Sequence, residues 1–404
     1  AFMFHEALVS VASYCKREVP EVNDVLRSHT SIETVADVHC VEYLDRLHKT
    51  LQDSDDAGGL LMRAVPAEFV AAEWNTLPAL DVASSFWRTN AGDTRDYNKS
   101  APCSQAHRFV SHCWTAPKDW HEAMGNHCHY AEIKATELAT VAKDIAPEGI
   151  QWKRVAFWID KCCIPQGHPV MAKCVLHLED FIKRCDGMVV LFTWRYFERL
   201  WCVYEWASFL VYHSASNVRL CVEAFLRPTT RSLFLSAIKA FNVKDAQCCV
   251  EADRAVLQAK VDEYYHSNEA FETFARGTAI AVLAYSELRR SSRSKQEFAE
   301  QYVPWRNLAE ELGMHEIAAA LSAVDPVTWR RMASRIQSRS PSDTLKKTSK
   351  RWHEEYFSWV DVWFEEEVLP VLENLRVHCV RATHVQKVKL SPEEWFDRGW
   401  AIEV

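Results

Sequence analysis

Between residues 107 and 222 the chain alternates short apolar runs with amphipathic stretches, and this alternation limits the fold more than any other feature. The runs are residues 107–113 (HRFVSHC), 154–160 (RVAFWID), 187–192 (GMVVLF) and 217–222 (NVRLCV). Each has the length of a strand, and the middle two are apolar at nearly every position, as strands covered on both faces are. Between them, residues 131–145, 170–184 and 196–212 carry apolar positions at helical spacing. This order predicts a parallel sheet with helices on both faces. In such sheets ligands bind beyond the carboxyl ends of the strands.

The flanks read differently. Residues 1–100 look helical and irregular, with helix-spaced apolar positions at 7–15 and 41–51, a turn signal at 53–59 (DSDDAGG) and a polar linker at 89–100. Nothing there carries visible chemistry. After residue 228 the strand signal fades, and 231–242, 253–266 and 271–288 read as helices. A basic, polar hinge follows at 289–295 (RRSSRSK), and 296–380 reads as helical apart from a break at 339–344 (RSPSDT). The expected organisation is a helical N-terminal extension over 1–100 and an α/β domain over 101–228. A helical continuation packed on that domain follows over 229–290, and a C-terminal helical region over 296–404.

Composition excludes several classes. A formal charge of -8 offers no global electrostatic case for nucleic acid. No apolar run approaches the roughly 20 residues of a membrane helix; the best, 187–192 and 278–285, are far shorter. No secretory signal is visible, although a chain beginning at Ala1 leaves a processed or trimmed start open. The 14 cysteines are scattered, with adjacent pairs at Cys162-Cys163 and Cys248-Cys249, and Cys202 and Cys221 lie inside apolar runs. That usage points to a reducing, cytoplasmic setting.

Three segments together resemble the TIR domain: HRFVSHCW (107–114), VAFWIDKCCIPQG (155–167) and DGMVVLFTWRYFERLWCVYEWASF (186–209). Residues 107–114 resemble the opening TIR strand with its serine, Ser111. Residues 155–167 are similar to the next TIR strand, its terminal Asp160 and the loop that follows. Residues 186–209 resemble the third strand, then Tyr196, then a Trp-Cys-x-x-Glu signature at Trp201, Cys202 and Glu205. The middle segment also resembles the fungal heterokaryon-incompatibility domain, itself TIR-like, through Trp158, Ile159, Asp160, Cys163, Ile164 and Gln166. The sequence departs from the TIR pattern at Trp206, where many TIR domains carry Leu. It departs again in the long His-rich stretch between the first two strands, and in Cys162, Cys163 and Pro165 after Asp160. The resemblance covers residues 107–223. It implies a flavodoxin-like parallel sheet and a cytoplasmic signalling or defence protein of the innate-immunity type. It also implies NAD glycohydrolase (NADase) activity through Glu205, with NAD or a related nucleotide as substrate and no bound cofactor. From a different class, it equally implies a non-catalytic module that works by TIR–TIR self-association.

In the helix near residue 200, Cys202, Trp206 and Phe209 form a core-facing stripe, while Trp201, Glu205 and Ser208 share a neighbouring face. A carboxylate amid Trp201, Tyr204 and Trp206 requires a reason, because buried Glu is rare unless paired. In an enzymatic TIR domain this Glu contacts the ribose that becomes cationic as the nicotinamide bond breaks, and a fixed carboxylate stabilises that oxocarbenium-like charge. Trp201 offers a flat surface to a ligand ring. The alternative is a Glu paired with Arg195, Arg199 or Arg154 as fold support. Ser111 and Trp114, at the carboxyl edge of the first strand, are ligand contacts in the first reading and a turn serine and packing tryptophan in the other. Asp160 orients the following loop or, as the default, caps the next helix. Lys161 meets a phosphate or stands at the surface. His121, His127, Cys128 and His129 lack the paired spacing of a zinc site, so no metal is expected. The run of Arg330, Arg331, Arg335, Arg339, Lys346, Lys347, Lys350 and Arg351 against the single acid Asp343 is a docking patch for an acidic partner or a solvated face. Residues 360–375 read as core or an assembly face.

Overall fold

The computed structural model describes residues 42–51, 56–89, 92–222, 224–227, 229–248, 251–289, 295–324 and 360–382. Expectations for 1–41, the 339–344 break, the basic run at 330–351 and most of the 289–295 hinge lie outside them.

All four predicted strands form. They are β3 (Arg108–His112), β4 (Ala156–Trp158), β5 (Met188–Leu191) and β6 (Val218–Cys221). The pairings among these four are parallel, with β3 pairing both β4 and β5, and β5 pairing β6. β5 is the centre of the core, with Met188, Val189, Val190 and Leu191 all fully buried. The helices that cross between strands cover both faces, as apolar parallel strands require.

The sheet is nevertheless mixed rather than wholly parallel. Two short strands come from the region expected to be only helical and the residues just after it, β1 (Arg63–Pro66) and β2 (Ala101–Pro102). β1 runs antiparallel to β4, with Val65 opposite Phe157, and β2 runs antiparallel to β1. The six strands stand in the order β2-β1-β4-β3-β5-β6. Four residues and two residues are too short to display a period of two, and both strands end in Pro, which donates nothing to a ladder. Neither strand carries a local signal of its own.

Helix α1 (Leu77–Arg88) lies against α2 (Tyr130–Ile145), which follows β3. The expected 170–184 helix is two helices, Val170–Leu176 and Leu178–Lys183, broken at His177. The expected 196–212 helix is a 3₁₀ turn, Tyr196–Glu198, followed by α3 (Leu200–Tyr212). Arg199 between them is extended because the chain there is tied to Gln247: Leu200 N donates to Gln247 O and Gln247 N to Glu198 O.

α3 is buried on nearly every side, with only Trp201 and Tyr212 partly open. The sheet covers one side; α4 (Glu251–Tyr264) and α5 (Asn268–Arg289) cover the other. Trp206 is enclosed there, its indole N–H donating to Thr278 Oγ1 at 2.8 Å. α6 (Leu369–Cys379) packs on α5 and anchors to α3 through Arg376, whose Nη1 donates to Val211 O at 2.9 Å. Residues 360–375 thus contribute to the core through Val360, Trp363, Phe364, Val368 and Leu372. Pro370 follows directly on a π turn, Phe364–Val368, inside a helix continuous from Val360, and this irregularity in the hydrogen-bond ladder is where a residue without an N–H is tolerated. No helix among the described residues is long and apolar enough to cross a membrane.

Candidate functional site

β3 pairs with β4 only at Arg108 and Phe109, but with β5 as far as His112. β4 stops at Trp158, so the carboxyl half of β3 loses its neighbour on that side. The chain leaves β3 for β4 on one side and later returns to β5 on the other. A crossover of this kind is where open α/β sheets place their ligand crevices.

Ser111 lies in this half of β3 and is fully buried. Its Oγ is 2.5 Å from Glu205 Oε2 and 2.6 Å from the Tyr196 hydroxyl. Tyr196 in turn donates to the carbonyl of Cys202 at 2.7 Å. The other Glu205 oxygen, Oε1, accepts the Trp201 indole N–H at 2.7 Å, one turn back along α3. Both carboxyl oxygens are therefore held, and the residue is 3% exposed. Burial pushes the Glu205 carboxyl well above the ordinary range. The charge of Asp160 pushes the same way, and the hydrogen bonds from Ser111 and Trp201 offset this only in part. The alternative arginine pairing is not made: Arg195 binds Glu198 at 2.5 Å, and among the described residues no Lys or Arg pairs with Glu205.

Asp160 stands beside this group. Its Oδ2 accepts the Trp114 indole N–H at 2.7 Å and its Oδ1 the Lys161 amide at 2.6 Å. His112 Nε2 is 3.5 Å from Oδ1, an electrostatic contact longer than a good hydrogen bond. Asp160 opens the short helical turn Asp160–Cys163 as its first residue, and Ile159 holds the cap position. The expected cap is thus displaced by one residue, because the chain stays extended through Ile159 before it turns. Burial works against the Asp160 charge, but His112, the Trp114 N–H and the Lys161 amide outweigh it, and the pKa is lowered. Two neighbouring carboxyls are thus pushed in opposite directions, a pattern that separates acid from base roles in active sites.

Lys134 completes the group, and the sequence reading did not single it out. It is fully buried on α2, with Nζ 2.6 Å from the Cys113 carbonyl and 3.2 Å from His112 Nδ1. The ammonium lies 4.2 Å from the Tyr130 ring centre and 5.2 Å from that of Trp87. Burial pushes its pKa down to about 7. A signal was available: Lys134 interrupts the apolar stripe of Tyr130, Leu138 and Val141 at helical spacing. Tyr196 and Thr193, both fully buried, also belong to the group without having been marked as site residues.

The remaining expected residues divide. Trp114 is half-buried and holds Asp160; Trp201 is half-buried and holds Glu205. Lys161 is not at the surface. It is buried, and its ammonium binds Thr89 Oγ1 at 2.8 Å, the Phe86 carbonyl and, at 3.3 Å, Asp96. That ammonium is spent on tying the N-terminal region to the sheet. His121 and His127 are exposed and His129 is exposed as well, and among the described residues no group of His, Cys, Asp or Glu is arranged to hold a metal ion. A cavity of about 370 Å³ is lined by Glu73, Trp74, Thr136, Thr140 and Lys143, and none of the residues at Glu205 lines it.

Comparison with known protein families, with curated proteins and with solved structures finds no match.

Proposed function

We propose that this chain is a TIR-like signalling or defence protein that cleaves the nicotinamide glycosidic bond of NAD through Glu205. One observation carries the reading: the 2.5 Å contact between Ser111 and Glu205. It joins the serine of the first TIR-resembling segment to the glutamate of the third, at the carboxyl end of a central strand. Asp160, from the middle segment, stands beside them. The parallel part of the sheet runs β4-β3-β5-β6, or second, first, third, fourth strand. That is the order of a flavodoxin-like sheet, and we read the fold as that arrangement extended by β1 and β2.

In this reading Trp201 swings off Glu205 and the nicotinamide riboside takes its place. The C1′–N bond breaks, its electron pair leaves on nicotinamide, and water adds to the ribosyl cation with release of a proton. As Trp201 swings away, Glu205 gives up its proton to solvent, and the carboxylate then faces the cation and stabilises it more than it stabilises the substrate. Trp201 supplies a ring face for stacking. Trp114 holds Asp160 against the site rim.

A rival reading is favoured by the enclosure of Glu205, which is 3% exposed. There Glu205 supports the fold, and the protein works as a TIR-like assembly module through self-association. One experiment separates the two. Purified protein is incubated with NAD, and nicotinamide release is followed alongside Glu205→Gln. Release that is lost in the variant supports cleavage. No release from the wild type at any protein concentration overturns it in favour of the assembly reading.

A further inference from the structure

Four oxygens form an unbranched chain at the centre of the protein: Glu205 Oε2, Ser111 Oγ, the Tyr196 hydroxyl and the Cys202 carbonyl. The successive separations are 2.5, 2.6 and 2.7 Å. Each contact is a hydrogen bond and needs one hydrogen, so the chain needs three. The Cys202 carbonyl can only accept, so Tyr196 must donate there. Tyr196 has then spent its hydrogen and must accept from Ser111. Ser111 has then spent its own and must accept from Glu205. Two hydroxyls supply two hydrogens, and the third has one source, the Glu205 carboxyl. If Glu205 is ionised, one of the three contacts places two lone pairs face to face with no hydrogen between them.

We infer that Tyr196 is a positioning residue: by spending its hydrogen on the Cys202 carbonyl, it orders the chain so that resting Glu205 is a neutral acid that donates to Ser111. The carboxyl's other oxygen fits the same state, since Oε1 accepts from the Trp201 N–H. So does the enclosure, because an unpaired buried carboxylate is far costlier than a buried acid. Burial also raises the Tyr196 hydroxyl well above the ordinary tyrosine range, which keeps it a donor.

The charged and titratable groups around Glu205 come from every neighbouring element. Asp160, at the end of β4, carries the negative charge that further disfavours a Glu205 anion. Cys113 follows β3 and Cys202 lies on α3; His112 and Lys134 stand behind Cys113. Burial pushes the His112 pKa below its ordinary value, and His112, the Trp114 N–H and the Lys161 amide hold that of Asp160 below its own, opposite to the rise at Glu205.

The inference concerns the resting state and does not depend on NAD cleavage; its test is a stability measurement. Glu205→Gln keeps a donor toward Ser111 and an acceptor toward Trp201, without a proton to lose. A raised folded pKa means that unfolding releases a proton once pH exceeds the unfolded value. Wild-type stability should therefore fall relative to Glu205→Gln as pH rises above about 4.5. The folding equilibrium constant should drop about tenfold per pH unit until the folded pKa is reached. Groups common to both proteins cancel in the difference. Tyr196→Phe removes the oxygen to which Ser111 donates, freeing that hydrogen for a Glu205 anion. The pH-dependent loss should then shrink by tenfold or more in equilibrium constant at pH 7, read against the double variant with Glu205→Gln. A wild-type difference that stays flat with pH would show that Glu205 is ionised at rest and overturn the inference. A slope that Tyr196→Phe leaves unchanged would show that burial alone holds the proton and overturn the role of Tyr196. If Glu205→Gln does not fold, wild type against Tyr196→Phe over the same pH range carries the same test. Nicotinamide release is measured separately, so failure of the cleavage reading and failure of this one are distinguishable.

Discussion

Lys134→Met perturbs the one ammonium buried at the crossover without a carboxylate in ion-pair contact among the described residues. The nearest groups to Nζ are the Cys113 carbonyl at 2.6 Å, His112 Nδ1 at 3.2 Å and the Trp114 carbonyl at 3.5 Å. Burial lowers the Lys134 pKa from 10.5 to about 7. A drop of about 3.5 units corresponds to about 5 kcal/mol of penalty on the charged form, at about 1.4 kcal/mol per unit. The folded pKa lies below the unfolded one. Below about pH 7 both states hold the proton and the full penalty acts. Between about 7 and 10.5 unfolding takes up a proton, so stability rises with pH, and above that window the penalty is gone. Methionine fills a similar volume without a charge. It loses the bond to Cys113 O and the contact with the Tyr130 ring, about 1–3 kcal/mol together. Tyr130 still donates to that carbonyl at 2.9 Å. The variant should therefore be more stable than wild type by about 2–4 kcal/mol near pH 6 and slightly less stable near pH 10. Guanidinium unfolding followed by tryptophan fluorescence at intervals from pH 6 to 10 measures this. A stability difference between the two proteins that does not change with pH would refute the burial penalty.

Glu205→Ala should lose about 2–4 kcal/mol. It empties an enclosed position, leaves the Trp201 N–H without its acceptor and leaves Ser111 without the donor it accepts from; denaturation at pH 7 checks it, and an unchanged midpoint would count against the network. Val65→Ala should cost about 1–3 kcal/mol, because Val65 is fully buried in β1 opposite Phe157; a negligible cost would mean that β1 is not part of the cooperative sheet. Thiol labelling of native protein, with sites identified by mass spectrometry, should find Cys128 modified before Cys103. Both are half-buried, but burial pushes the Cys103 thiol up to about 11. Cys162, Cys163 and Cys202 should react only after denaturant is added.

The four parallel strands and the helices between them were legible because each announces itself locally. A buried parallel strand is a short apolar run, and an amphipathic helix repeats at 3.6 residues. The placement of Glu205 beside Trp201 was also legible, since residues four apart share a helical face. The sequence did not reveal that α3 is buried nearly all round, because its outer cover, α4 and α5, comes from residues about fifty to eighty positions later. It did not reveal β1 and β2, whose pairing is specified by partners rather than by their own few residues. The break at Arg199 depends on Gln247, and the burial of Lys161 on Phe86, Thr89 and Asp96. The company of Glu205 was the least legible feature. Ser111, Tyr196, Asp160, His112 and Lys134 are brought together from separate places in the chain. A hydrogen bond's worth depends on distances of a few tenths of an ångström that no local pattern encodes. Residue types and spacing determined where a carboxyl could stand; only the packed structure decided which oxygen faces it, and so where its proton resides.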